Sequence, residues 1–172
     1  MKKTAHVILS SLFGLYFGAC AAPRSFECTL LSAQEIEKAL GAKFLAPEVT
    51  TPDLLGSSAT ECNWFREGER GWVTTLQMTV STGESRAKKG AALDGKQHLE
   101  FLRLFLARDG QMISLGDGAW VNWVDIPGGM GNGVLIFREG EVVVALILSD
   151  QDDLTPGIEE LTSLGKTLEN RF

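Results

Sequence analysis

Histidine is nearly absent from this chain of 172 residues: there are two, and only His98 lies beyond the first twenty positions. That scarcity narrows catalysis before any fold is considered. A nucleophile, a base and an orienting group must be able to meet. Any Ser/His/Asp set would rest wholly on His98, and the chain has no G-x-S-x-G elbow to present a nucleophile. His98 falls beside Gln97 and Glu100 in a helical stretch, so a surface histidine is the expectation, and no catalytic residue is assigned. Basic clusters are as rare. "RAKKG" (86–90) is the one short run, so the chain has no electrostatic footprint for nucleic acid. Cysteine is limited to three, and the last two stand too far apart for zinc-ligand spacing. No metal and no cofactor is implied.

What is present begins at the N-terminus. Lys2 and Lys3 precede "TAHVILSSLFGLYFGA" (4–19), an uncharged and mostly apolar run ending in small residues. That is the layout of a secretory signal peptide. The run contains His6, Ser10 and Ser11 and soon meets Pro23 and Arg24, which fits a spanning helix of roughly 20 apolar residues poorly. Next, "FGAC" (17–20) resembles the lipobox of bacterial lipoproteins, in which a cysteine after two small residues is acylated and becomes the first residue. Phe17 departs from the usual Leu. Ordinary cleavage at "ACA" (19–21) is the alternative, as is an uncleaved anchor.

Three cysteines in an exported chain leave one over. If Cys20 carries a lipid, Cys28 and Cys62 remain as a pair in an oxidising compartment. Cys20 with Cys28, or two buried free thiols, are the other arrangements. Removing residues 1–19 leaves 14 basic against 22 acidic residues, a net charge of −8. An anionic membrane surface would not attract such a domain, so attachment would come from the acyl chains. Ala21 after Cys20 suits the outer membrane if the cell has two.

Residues 20–27 read as a tether, and 28–172 have the size of one domain. In "CTLLSAQEIEKALG" Ser32 and Glu35 form a capping box, Gly41 suits a left-handed stop, and a helix is predicted over 33–40. "AKFLAPEVTTPDLLGSSAT" (42–60) is loop-like. "ECNWFRE" reads as a strand. In "WVTTLQMTVS" Trp72, Leu76, Met78 and Val80 alternate with polar residues, interrupted at Thr74, as in a half-buried strand. Leu99, Leu102, Phe105 and Leu106 mark a helix from about Gly95, with its apolar side inward. "MISLGDGAWVNWV" bends at Gly116 and Gly118, and "VLIFRE" with "EVVVALILS" makes a hairpin over Gly140. The unbroken apolar run 142–148 predicts a central strand covered on both faces. Ile158, Leu161, Leu164 and Leu168 define a closing helix, in which Gly165 is a modest cost. Together these predict an α+β domain: one antiparallel sheet of about five strands with helices packed on it, in the order α-β-β-α-β-β-β-α.

Four of these segments, "CTLLSAQEIEKALG", "ECNW", "SLGDGAWV" and "VLIFREGEVVVAL", in this order resemble a family of lipoproteins built on a domain of unknown function and widespread in actinobacteria. The resemblance runs from about Cys20 to the C-terminus. It implies an exported, disulfide-bearing α+β lipoprotein with no known catalytic activity.

The remaining motifs are read structurally first. "GGMGNG" (128–133) precedes a strand and lacks the Lys-Ser/Thr of a phosphate loop, so a mobile hairpin loop is expected. "SDQDDL" (149–154) is oxygen-rich but lacks the glycine and closing glutamate of a calcium loop. Asp117 between two glycines suits a turn, or the edge of a recognition surface. Trp120 and Trp123 differ by an odd number and so face opposite ways on a strand, one as core and one as a binding anchor. Asp117, Trp120 and Trp123 are therefore the candidate binding surface. The function expected is a lipid-anchored envelope module that binds a protein; the alternative is a carrier of a lipid or small apolar ligand.

Overall fold

The computed structural model describes residues 28–50, 59–67, 73–88, 93–126, 130–150 and 157–172. The expected signal segment, Cys20, the tether, Trp72, Asp152 and Asp153 lie outside these residues. A 3₁₀ turn (Cys28–Leu30) leads into α1 (Ala33–Leu40), followed by strands β1 (Glu48–Thr50), β2 (Thr60–Glu67) and β3 (Val73–Ser81). Helices α2 (Gly83–Lys88) and α3 (Gly95–Leu106) come next, then β4 (Gln111–Ile113), β5 (Ala119–Ile126), β6 (Met130–Glu139), β7 (Val142–Asp150) and α4 (Ile158–Glu169).

The fold is α+β with a single antiparallel sheet of seven strands in the order β1-β2-β3-β7-β6-β5-β4. The two strands beyond the expected five are three-residue edges. β1 arises inside the stretch read as loop, where Ala42 and Phe44 are also buried. β4 is split from β5 by the kink at Gly116 and Gly118, both at positive φ. Short edge strands leave few unpaired amides to recruit another chain.

Both faces of the sheet are covered over its centre. Helices α1 and α4 pack on the face carrying Cys62, Trp64, Leu76, Val144, Leu146 and Leu135, forming the larger core with Ile36, Leu161 and Leu164. Helix α3 packs on the other face against Ile136, Val143 and Ala145 through Leu99 and Leu102. Strand β7 is fourth of seven and feeds both cores, as its unbroken apolar run predicts. Gly165 does more than weaken α4. A Cβ there would stand 2.5 Å from Leu135 and 2.8 Å from Leu115, so its absence lets the helix approach the sheet closely.

Cys28 and Cys62 are joined in a disulfide with Cα atoms 5.6 Å apart, within the usual span of such bonds. The bond ties the 3₁₀ turn to β2. At the other end of the chain, Arg171 donates to the Thr29 and Leu30 carbonyls and pairs with Glu35 of α1. Both ends of the described domain are thus bound to the same corner. Ser32 caps α1 as expected: its Oγ accepts the Glu35 amide at 3.3 Å, and Glu35 accepts the Ser32 amide at 2.8 Å. The Ser32 amide and hydroxyl, with Arg171, hold the Glu35 carboxyl below its ordinary value against the opposing effect of burial.

Four local expectations are corrected. Gly131, Asn132 and Gly133 of "GGMGNG" are strand residues, paired with β5 and β7, because the Trp123 ring lies over both glycines and fills the space their side chains would take. Thr74 does not break the inward pattern of β3. It is wholly buried, and its Oγ1 donates to the buried Asp150 carboxylate at 2.8 Å. Phe105 faces outward and is 66% exposed, since the inward stripe of α3 is Gly95, His98, Leu99 and Leu102. Finally, His98 is buried, as described next.

Candidate functional site

Asp117 is spent on the scaffold. Its Oδ2 accepts the Gly140 amide at 3.0 Å and pairs with Arg138 at 3.1 Å, while its own amide donates to the Arg138 carbonyl at 2.8 Å. The Gly116 amide beside it donates to Glu169 at the end of α4 at 2.5 Å. This network joins the β4–β5 kink to the β6–β7 turn and to the last helix, which is the structural alternative weighed for "LGDGAW".

Trp120 and Trp123 occupy opposite faces, as their spacing requires. Trp123 packs against the larger core, half-buried, with its indole N–H donating to Asp125 Oδ1 at 2.8 Å. Trp120 packs against the α3 core, and the Arg103 guanidinium sits 5.7 Å from its ring centroid, a cation–π distance. So Asp117, Trp120 and Trp123 do not form one surface. The structure brings Trp120 together instead with Arg103 of α3 and with Met112, its 75%-exposed register partner on β4.

The side of the molecule around α3 carries what sequence reading missed. Leu104 and Phe105 lie on the outer side of this helix, while Phe101 is half-buried and packs against the α3 core. Leu104 is 55% exposed, and the Phe101 and Phe105 rings lie 4.5 Å apart. The signal was legible: α3 has two apolar stripes, and only one can face the sheet.

The stripe is held rigidly. Asp94 caps α3 by accepting the Gln97 amide at 2.8 Å, and Gln97 returns the bond to the Asp94 amide. Beneath the cap lies Arg86, wholly buried. It donates to the carbonyls of Leu93 and Glu141 at 3.0 Å each, to Ser81 at 3.4 Å and to the Glu141 carboxylate at 2.8 Å. Burial pulls its guanidinium below the ordinary arginine value, and Glu141 pushes the other way. The same Glu141 oxygen accepts the Gly95 amide, placing negative charge at the start of the helix where the dipole favours it. His98 follows one turn on, only 4% exposed. Burial first, and the Arg86 charge second, lower its pKa from 6.5 to about 4. At neutral pH it is an uncharged core residue.

Among the described residues no group of three or more His, Cys, Asp or Glu is arranged to hold a metal ion. No described helix is long and apolar enough to cross a membrane. The Trp64 indole N–H, wholly buried, finds no acceptor among the described residues. Comparison of the chain with protein-family models, with curated proteins and with solved structures finds no match in any of the three. The likeness to the actinobacterial lipoproteins therefore stands on its four motifs alone.

Proposed function

We propose that the chain is an exported, lipid-anchored envelope protein whose domain is a non-catalytic binding module, and that the outer stripe of α3 is its binding surface. One observation carries this reading: Leu104 and Phe105 lie exposed and side by side on a helix whose inner face, cap and N-terminus are all fixed to the sheet. A fixed helix that presents an exposed leucine beside an exposed phenylalanine is a recognition element in which little ordering entropy is lost on binding. The disulfide supports export, because such bonds persist in oxidising compartments. Cys20, after two small residues at the end of an apolar run, supports acylation. The buried, uncharged state of His98 supports a non-catalytic role.

Intact-mass analysis of membrane-extracted protein tests the anchor. The expected species begins at Cys20, carries acyl chains, and exposes Cys28 and Cys62 to alkylation only after reduction. An unmodified chain recovered free of membranes overturns it. For the surface, mild cross-linking in detergent-solubilised envelope is expected to capture a protein that Phe105→Ser no longer captures.

A carrier of a lipid or small apolar ligand is the second reading, favoured by the Trp64 N–H, to which a ligand carbonyl would supply the missing acceptor. Native mass spectrometry of the extracted protein decides it: a stoichiometric adduct lost in Trp64→Phe supports the carrier, and a bare domain removes it.

A further inference from the structure

We infer that the part of the sheet face left open beside α3 is a second binding surface, and that its occupant is a neutral glycan chain lying across the strands. The inference goes beyond the reading of α3 and does not depend on it.

The strand register defines the surface. Helix α3 covers one end of its face of the sheet through Ile136, Val143 and Ala145. Beyond that contact, two cross-strand rows on the same face run over five strands. The nearer row is Asn63, Gln77, Ile147, Val134 and Asn122, and the farther is Phe65, Thr75, Ser149, Asn132 and Val124. All ten residues are half-buried or exposed, and Val134 also touches the α3 core. The face that an antiparallel sheet turns to water is ordinarily polar, and charged residues make up 22% of this chain. None of the ten is charged. Glu61, next along β2 on this face, is buried and accepts the Asn63 amide at 2.8 Å.

That composition decides between occupants by what each would leave unpaired. About a quarter of a typical protein's residues are charged, mostly at its surface, and charges pressed onto this face would lose water and meet no counter-charge. A nucleic acid would find no cation for its phosphates. An acyl chain would strip water from six amide and hydroxyl side chains and return no hydrogen bond. A neutral polyol incurs none of these costs. Its hydroxyls both donate and accept, as do the side chains of Asn, Gln, Ser and Thr, and its apolar ring faces suit Phe65, Ile147 and Val134, which lie between the polar groups.

Geometry then favours an extended chain. Neighbouring strands stand about 4.8 Å apart, close to the rise of one sugar unit in an extended glycan, so a chain running along a row meets one strand per unit. Five strands make a track of about 19 Å, and the second row flanks it at about 7 Å. Trp120, two residues before Asn122 and so on the same face, sets an aromatic ring at the β5 end.

The test uses the full chain extracted in detergent, with insoluble cellulose, chitin and mannan as neutral probes. Retention on at least one of them is expected. It is expected to fall at least tenfold in Gln77→Glu with Asn132→Asp, which adds two carboxylates to the track with little change of shape, and at least threefold in Asn132→Asp alone, at an exposed position. Ser163→Asp, on the exposed side of α4, adds a carboxylate elsewhere and is expected to leave retention unchanged. Far-ultraviolet circular dichroism checks that each variant is folded. Retention on none of the three polymers overturns the proposal, as does equal retention of the parent and both track variants. A protein captured by cross-linking, or a dimer seen in sedimentation, that the double variant abolishes would assign the face to that partner and also overturn it.

Discussion

The guanidinium of Arg86 and the carboxylate of Glu141 meet at 2.8 Å across the end of the sheet, one wholly buried and the other 63% exposed. This asymmetry decides what each substitution does. Arg86→Ala strips donors from Ser81, Leu93 and Glu141 together and unpins the start of α3. Removing one member of a buried ion pair costs about 3–5 kcal/mol, and the exposed partner here places Arg86→Ala near the lower figure. Glu141→Gln keeps an oxygen for the Gly95 amide and costs about 1–2 kcal/mol, the worth of a charge-assisted bond made neutral. Urea unfolding of both variants checks the order; a Glu141 variant more damaging than the Arg86 one would contradict this account.

Trp123 and Gly133 make a second pair whose shapes depend on each other. A Cβ at position 133 would collide with the indole and stand 2.5 Å from Leu161. Gly133→Ala is therefore expected to destabilise by about 1–3 kcal/mol, the range for overpacking, and to change the near-ultraviolet circular dichroism of the indole. Adding Trp123→Leu to Gly133→Ala is expected to recover part of the loss. Equal stability of the single variant and the parent would show that the ring does not rest there.

The Cys28–Cys62 bond closes a separation of 34 residues. On the chain-entropy model its loss costs about 3–4 kcal/mol. Cys62→Ala is expected to lower the thermal midpoint more than Cys28→Ala, because Cys62 is fully buried in the sheet and its replacement also leaves a small cavity. Scanning calorimetry of both variants beside the reduced parent separates the cross-link from the packing.

How much of this could be read from the sequence depends on the range of the interaction. Helix α1 was legible to the residue because its signals, Ser32, Glu35 and Gly41, act on amides within a few positions of themselves. The central place of β7 was legible because a strand apolar at every position needs cover on both faces. The odd spacing of Trp120 and Trp123 likewise foretold opposite faces. What failed was long-range. Gly131 and Gly133 read as loop because the tryptophan that makes glycine necessary there comes from the neighbouring strand. His98 read as a surface residue because the buried Arg86 at its side arrives from another helix. Phe105 read as an inward residue because α3 has apolar residues on more than one side, and only the strands it meets decide which side is buried.

His98 also gives the domain a pH dependence whose sign is fixed by its burial. Its pKa in the fold is about 4, below the ordinary 6.5, so above pH 6.5 it is neutral in both folded and unfolded chains and contributes no slope. As pH falls from 6.5 towards 4, the unfolded chain takes up a proton that the folded one refuses, and stability falls. At about 1.4 kcal/mol for each unit, the loss reaches about 2 kcal/mol by pH 5. The lowered carboxyl of Glu35 acts below its ordinary value of 4.5, so it adds little slope above pH 5. Between pH 5 and 6.5 the slope therefore reports on His98 and the Arg86 charge beside it. Urea midpoints at about pH 7.5 and pH 5 are expected to differ in the parent and to converge in His98→Leu, which keeps the volume and loses the titration. A parent whose stability is flat across that interval would mean that His98 protonates freely in the fold and that the Arg86 cluster is open to water.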